Sequence, residues 1–223
     1  KELKRVRAEC RRTPAHLALQ HIAESDRSGP RPCILDLANH TPGPFHIYTD
    51  GGTIPGEHPI SGWGFTINND EGKTLEDTDG TKWEGAGRLQ GEQNNTIAEA
   101  MALLQSIRTI PLSRDCHIYI DNTGVLCCVK KDLWDDPRQR LDLTGRAVWN
   151  RIHCLLNERK SAGALTRFHW IHSHVDDADR RQWKETSRFT CACGGGGNRE
   201  CDPDHPHHSG NVRADELATQ GLH

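Results

Sequence analysis

Ile47-Tyr48-Thr49-Asp50-Gly51-Gly52 closes a short apolar run on a carboxylate followed by two glycines. Apolar residues ending on an acid predict a strand over 45–50 that delivers Asp50 to its tip. Gly51 and Gly52 would leave room there for a substrate backbone to approach. Three further acids stand in settings just as distinct. Glu99 lies in Thr96-Ile97-Ala98-Glu99-Ala100, Asp121 in Ile118-Tyr119-Ile120-Asp121-Asn122, and Asp215 in Gly210-Asn211-Val212-Arg213-Ala214-Asp215. Asp121 ends a second apolar strand; Glu99 and Asp215 sit in helix-like segments. Carboxylates brought to one point from several elements repel one another unless cations hold them, and hard oxygen ligands suit Mg²⁺ or Mn²⁺.

Working outward, Gly62–Asn68 alternates Trp63, Phe65 and Ile67 at strand period. A weaker strand signal lies within 73–90. Ile97, Ala100, Met101, Leu104 and Ile107 share one helical face, predicting a helix over 96–110 that stops before Pro111. A strand over 117–121, a short helix after Asn122-Thr123, a helix over 142–160, a strand over 168–171 and a last helix over 211–220 complete the order. Three strands in an antiparallel meander, then strand–helix alternation, predict an α/β fold: a mixed five-stranded sheet, three antiparallel strands then two parallel, flanked by helices.

The domain organisation expected is 1–44, a helical extension with a Pro-rich linker, and 45–223, the compact domain. Thr13-Pro14 is a helix start signal, and Leu17, Leu19, Ile22 and Ala23 form a thin apolar stripe. Pro30, Pro32, Pro42 and Pro44 punctuate the linker. Because the sequence begins at Lys1, excision from a longer protein is the expectation.

With 34% apolar and 26% charged residues, the chain is polar but able to build one core. No apolar run approaches the roughly 20 residues needed to span a bilayer, so no membrane partner is expected. Nine cysteines, two of them adjacent (Cys127 and Cys128), predict free thiols in a reducing, intracellular compartment rather than a disulfide framework. The net charge of −3 does not advertise nucleic-acid binding, but charge is segregated: 1–12 holds six Lys/Arg against two Glu. The stretch 138–167 holds seven against Asp142 and Glu158.

These motifs, in this order, resemble type 1 ribonuclease H from about Phe45 to Leu217, with one interruption. Asp121 follows Glu99 by 22 residues, which fits a helix, a turn and the next strand. Trp170-Ile171-His172-Ser173-His174 resembles the strand leading to that family's mobile histidine loop, and Gly210–Ala218 its closing motif. The resemblance implies that Asp50, Glu99, Asp121 and Asp215 hold two Mg²⁺ (or Mn²⁺) ions that share a scissile phosphate. The substrate implied is an RNA/DNA hybrid, cut in its RNA strand to leave a 5′-phosphate and a 3′-hydroxyl. His174 is the implied assistant, with His172 its competitor two residues earlier.

Family members often carry paired asparagines before the helical glutamate, and Asn94-Asn95-Thr96 stands there shifted by one position. Asn95, Thr96 and Asn122 are therefore candidates for reading the 2′-hydroxyls of a hybrid; helix capping is the competing role. Arg146 and Arg151, with Arg159 or Lys160, are candidates for tracking DNA phosphates. No second basic helix of the handle type found in cellular relatives is evident between Asp121 and Trp170. That trimmed form resembles the ribonuclease H domains of retroelement (non-LTR retrotransposon-like) reverse transcriptase polyproteins. Two competing readings of the fold are a catalytically silent nucleic-acid-binding or structural module and a DNA-strand transferase.

His174 and Asp215 are 41 residues apart, about 30 more than the resemblance leads one to expect, so an insertion is placed at about 177–208. It holds Cys191, Cys193, a four-glycine run, Cys201, His205, His207 and His208. Three thiols and a nearby imidazole could close around a structural Zn²⁺ ion, with His205 favoured as fourth ligand. A metal-free loop and a redox pair are the alternatives.

Overall fold

The computed structural model describes residues 43–77, 80–130, 145–175, 190–195 and 200–223. The expected N-terminal helix, nearly all of the linker, the start of the helix expected from 142 and most of the insertion lie outside them.

Among the described residues, five strands form one sheet in the order β3-β2-β1-β4-β5. They are β1 (Phe45–Ile54), β2 (Ile60–Asn68), β3 (Glu84–Arg88), β4 (Cys116–Ile120) and β5 (Thr166–Trp170). β1 pairs antiparallel with β2, and β2 with β3, while β4 joins β1 in parallel and β5 joins β4 in parallel. This is the mixed topology that the meander and the later strand–helix alternation predict. Asp50 does not end its strand. β1 runs on to Ile54 because Gly51–Ile54 stays paired with Ile60–Trp63 of β2; what stops near Asp50 is the pairing with β4.

Alternation along β1 sets the two faces. Phe45 and Ile47 enter a core with Phe65, Ile67, Ile118 and Ile120. That core is closed by α1 (Asn95–Thr109) and α3 (Arg146–Ser161), which contribute Ile97, Leu103, Leu104, Ile107, Trp149 and Ile152. The opposite face presents Tyr48 and Tyr119, stacked with ring centroids 4.7 Å apart, and is covered by α4 (Pro206–Gln220). The short α2 (Thr123–Lys130) straddles both cores through Val125 and Leu126. Arg213 of α4 grips Glu84 of β3 in a two-point ion pair at 2.9 and 2.8 Å, tying the helix to the sheet edge.

α4 starts at Pro206, five residues before the sequence expectation, with His205 as N-cap and proline at the first helical position. The insertion therefore overlaps the helix instead of ending before it. Arg159 departs further from expectation. It is fully buried, and its guanidinium donates to the Thr166 hydroxyl at 3.0 Å, the Pro111 carbonyl at 2.8 Å and the Arg114 carbonyl. It latches α3 to the loop before β4 and is not available to DNA phosphates. Arg159→Met is expected to leave these acceptors unsatisfied and cost about 2–3 kcal/mol, read by urea unfolding. The exposed neighbour Lys160→Met is expected to cost less than about 0.5 kcal/mol.

Candidate active site

The parallel register of β1 and β4 ends at Thr49 opposite Ile120, so Asp50 and Asp121 emerge side by side just past it. Parallel strands gather their ligands at these carboxyl ends. Asp121 is fixed through its backbone, whose carbonyl accepts from the Trp170 indole at 2.9 Å. Glu99 comes from the first turns of α1 on the other face. It reaches the strand tips because α1 lies directly on the β1 backbone at Gly51: a Cβ there would stand 2.5 Å from the Ala98 carbonyl carbon. Gly51 thus makes room for a helix, not for substrate, whereas the position of Gly52 is open.

Carboxylate oxygens of Asp50, Glu99 and Asp121 all lie within 4.8 Å of one another. Asp215 projects from α4 onto the same point and stands within hydrogen-bonding reach of the Asp50 carboxyl. It lies outside the tight trio but faces Asp121 as well. The four acids singled out in the sequence are therefore gathered in one place, three as a compact set and the fourth at its rim.

Burial, then the neighbouring charges of Asp121 and Asp215, pushes Asp50 up to about 9. Glu99 is raised well above the usual carboxylate range by burial and by Asp121 and Asp50. Asp121 rises to about 6, chiefly through burial, while a hydrogen bond from Asn211 and the nearby His174 pull the other way. Buried like charges must hold protons or share a cation. Glu99 Oε2 is buried and receives no hydrogen bond, an orphan that a cation would satisfy. An all-oxygen, multiply acidic donor set fits Mg²⁺ or Mn²⁺.

His174 faces Asp121 and adopts a left-handed backbone at φ 54°, an uncommon conformation for a side chain-bearing residue. His172 turns elsewhere: its backbone N–H donates to Cys191 Sγ at 3.3 Å, and its ring lies against Trp170 at 5.7 Å.

Of the substrate candidates, Asn122 is already engaged. Its Oδ1 accepts from the Gly124 and Val125 backbone, capping α2, and its Nδ2 donates to Glu99 at 3.4 Å. Asn94, not Asn95, caps α1 by accepting from Thr96 N at 2.8 Å. That leaves Asn95 exposed and Thr96 half-buried one turn from Glu99. Arg151 is exposed and Arg146 half-buried on α3.

A second cluster lies on the α4 side. Cys191, Cys193, Cys201 and His208 offer ligand atoms within 4.8 Å of one another. His205, favoured from the sequence, is not among them; its imidazole accepts from His207 N as the cap of α4. Asn211 is the residue that sequence reasoning missed, and His208, named there among the nearby imidazoles, takes the place given to His205. Once α4 is started at Pro206, His208, Asn211 and Asp215 fall at i, i+3 and i+7 on one face, and the His205-Pro206 step was the available signal.

Sheet order, flanking helices and the acids where the β1–β4 pairing ends define the ribonuclease H-like fold. Solved structures agree. The prototype foamy virus protease–reverse transcriptase superposes with a TM-score of 0.51 at 18% identity, over 80% of this chain and 21% of that one. The foamy viral enzyme in complex with an RNA/DNA hybrid gives 0.50 at 18% identity, over 87% of this chain and 22% of that one. The solution structure of the PFV RNase H domain gives 0.50 at 18% identity, over 81% and 96%. The chain spans about a fifth of the length of the protease–reverse transcriptases that it matches. No protein-family model and no curated protein matches it.

Proposed function

We propose that the chain is a ribonuclease H that hydrolyses the RNA strand of RNA/DNA hybrids, as one domain of a larger retroelement reverse transcriptase. The observation that carries this reading is the convergence of Asp50, Glu99 and Asp121 within 4.8 Å, with Asp215 at their rim. Two divalent cations held by these four carboxylates would activate the attacking water and stabilise the leaving 3′ oxygen, giving 5′-phosphate and 3′-hydroxyl ends. The division into an N-terminal extension over 1–44 and a catalytic domain over 45–223, in a reducing intracellular compartment, belongs to the same proposal.

The chain's own residues have separate tasks. Asn122 and Asn211 orient Glu99 and Asp121 by hydrogen bonding. His174, beside Asp121, is placed to move a proton near the leaving group. Exposed Asn95 and half-buried Thr96 read 2′-hydroxyls next to Glu99, and Arg146 and Arg151 position the DNA strand by its phosphates. The Cys/His cluster takes no part in the chemistry, because thiolates are poor ligands for hydrated Mg²⁺.

The test is a panel of end-labelled RNA/DNA hybrid, double-stranded DNA and double-stranded RNA with Mg²⁺. RNA cleavage in the hybrid alone is the expected result. Tight hybrid binding without cleavage points to a silent module, and cutting of the DNA duplex to a strand transferase. His174→Ala is expected to lower the cleavage rate by about 10²-fold, with His172→Ala nearer to wild type.

A further inference from the structure

We propose that Cys191, Cys193, Cys201 and His208 bind one structural zinc ion, which anchors the first turn of α4 to the end of β5. The residues arrive from three places. Cys191 continues the sheet, forming a parallel bridge with Trp170 through Ala192 N to the Trp170 carbonyl at 2.9 Å. The chain then turns back on itself, with Gly194 N donating to the Cys191 carbonyl at 2.9 Å and Cys191 N to the Gly195 carbonyl at 3.1 Å. Cys201 lies across this turn, and a Cβ on Gly195 would stand 2.7 Å from its sulfur. His208 comes from α4.

Four features mark a closed metal shell rather than a chance group of thiols. Cys191, Cys201 and His208 are 3%, 2% and 2% exposed, so three of the four are shielded from water, with Cys193 half-buried beside them. The Cys191 and Cys193 sulfurs are 3.3 Å apart, near the ~3.8 Å edge of a tetrahedron with Zn–S bonds of about 2.3 Å and far from the ~2.05 Å of a disulfide. Backbone N–H groups aim at the sulfurs, His172 N at Cys191 and Gly195 N at Cys193 at 3.4 Å, as anionic thiolates require. The His208 ring hydrogen-bonds the His172 backbone while its buried Nε2 has no partner, the usual orientation of a histidine that ligates through one nitrogen and is held by the other.

Three sulfurs and one nitrogen fill a tetrahedron and leave no open position, so the ion is structural. Its place explains how a polar insertion coexists with an ordered active site. His208 is one turn from Asn211 and two from Asp215, so fixing the start of α4 fixes the residues that meet Asp121 and Asp50. Zinc binding here stands whether or not the acidic site cleaves hybrids.

The full chain, isolated under reducing conditions without chelator, is expected to carry one zinc per molecule by native mass spectrometry and elemental analysis. Exchange for Co²⁺ is expected to give the visible absorption and sulfur-to-metal charge transfer of a tetrahedral thiolate site. His208→Ala is expected to weaken zinc binding at least ~100-fold, and His205→Ala to leave stoichiometry and spectrum intact. Cleavage assays are not the readout, so failure of the nuclease reading stays distinguishable. Absence of stoichiometric zinc in the wild-type chain overturns the site, as does a mass two hydrogens lower that reports a disulfide. Loss of zinc in His205→Ala with retention in His208→Ala overturns the ligand assignment.

Discussion

Asp121→Asn is expected to abolish hybrid cleavage, by about 10³-fold or more, and at the same time to raise the melting temperature of the cation-free protein. The two effects share one cause. Asparagine keeps the shape of aspartate and an oxygen that can accept from Asn211, but it removes a charge that pushes both Asp50 and Glu99 upward. Without cations that repulsion is a pure cost to folding; with Mg²⁺ it becomes the source of binding. Added Mg²⁺ is therefore expected to stabilise the wild-type chain markedly and the variant hardly at all, read by thermal melting with and without EDTA. A variant that is less stable than wild type in EDTA would show that Asp121 is held by favourable contacts rather than strained against its neighbours.

The pH dependence follows from the same groups. Asp50 at about 9 and Asp121 at about 6 both exceed the unfolded value near 3.8, so the folded state keeps protons that the unfolded chain has shed. Stability from this source is present at low pH and is lost as pH rises through 6 and then 9. The histidines on the α4 face run the other way. His207, whose imidazole hydrogen-bonds Tyr48 at 2.8 Å, is lowered to about 4, first by burial and then by neighbouring histidines. His117 is also lowered, chiefly by burial. Their contribution is lost as pH falls from 6.5 towards 4. Between pH 6.5 and about 8, below the ordinary range of the thiols, the carboxylates dominate: the melting temperature in EDTA is expected to fall across that window, and the slope to flatten with saturating Mg²⁺.

The fold was legible because its signals are local. Alternation in Trp63, Phe65 and Ile67 and the one-sided stripe of Ile97, Met101 and Leu104 are direct consequences of strand and helix geometry, and their order constrains the sheet. The acids were legible because motif spacing locates them along the chain, although β1 runs on past Asp50 to Ile54. What could not be read was which neighbour a side chain meets. Arg159 looks like any other cation on a basic helix, and only the loop folded beneath it converts it into a buried latch. Gly51 and Gly52 are identical as sequence; the helix resting on one and not the other is a tertiary fact. His205, His207 and His208 lie within four consecutive positions, and the exact start of α4 decides which caps, which packs against the tyrosines and which faces the sulfurs.

Gly51→Ala is expected to destabilise the chain by about 3 kcal/mol and to lower cleavage by about 10²-fold, while Gly52→Ala stays within about 0.5 kcal/mol of wild type. The added methyl at position 51 would meet the backbone of Ala98 and Glu99, which no rotamer change can relieve. Either α1 lifts from β1, or β1 shifts away from α1. Ala98, Leu103 and Leu104 are fully or almost fully buried on that helix, so a lift opens the core as well. Glu99 moves with its backbone, and a displacement near 1 Å separates its carboxylate from Asp50 and Asp121. Urea unfolding measures the first loss and single-turnover hybrid cleavage the second. A Gly51→Ala protein of wild-type stability would mean that α1 can retreat freely, and Glu99 would then be held by Asn122 rather than by the helix. A Gly52→Ala protein that folds normally but fails to cleave would restore to Gly52 the substrate-facing role that the open space beside it permits.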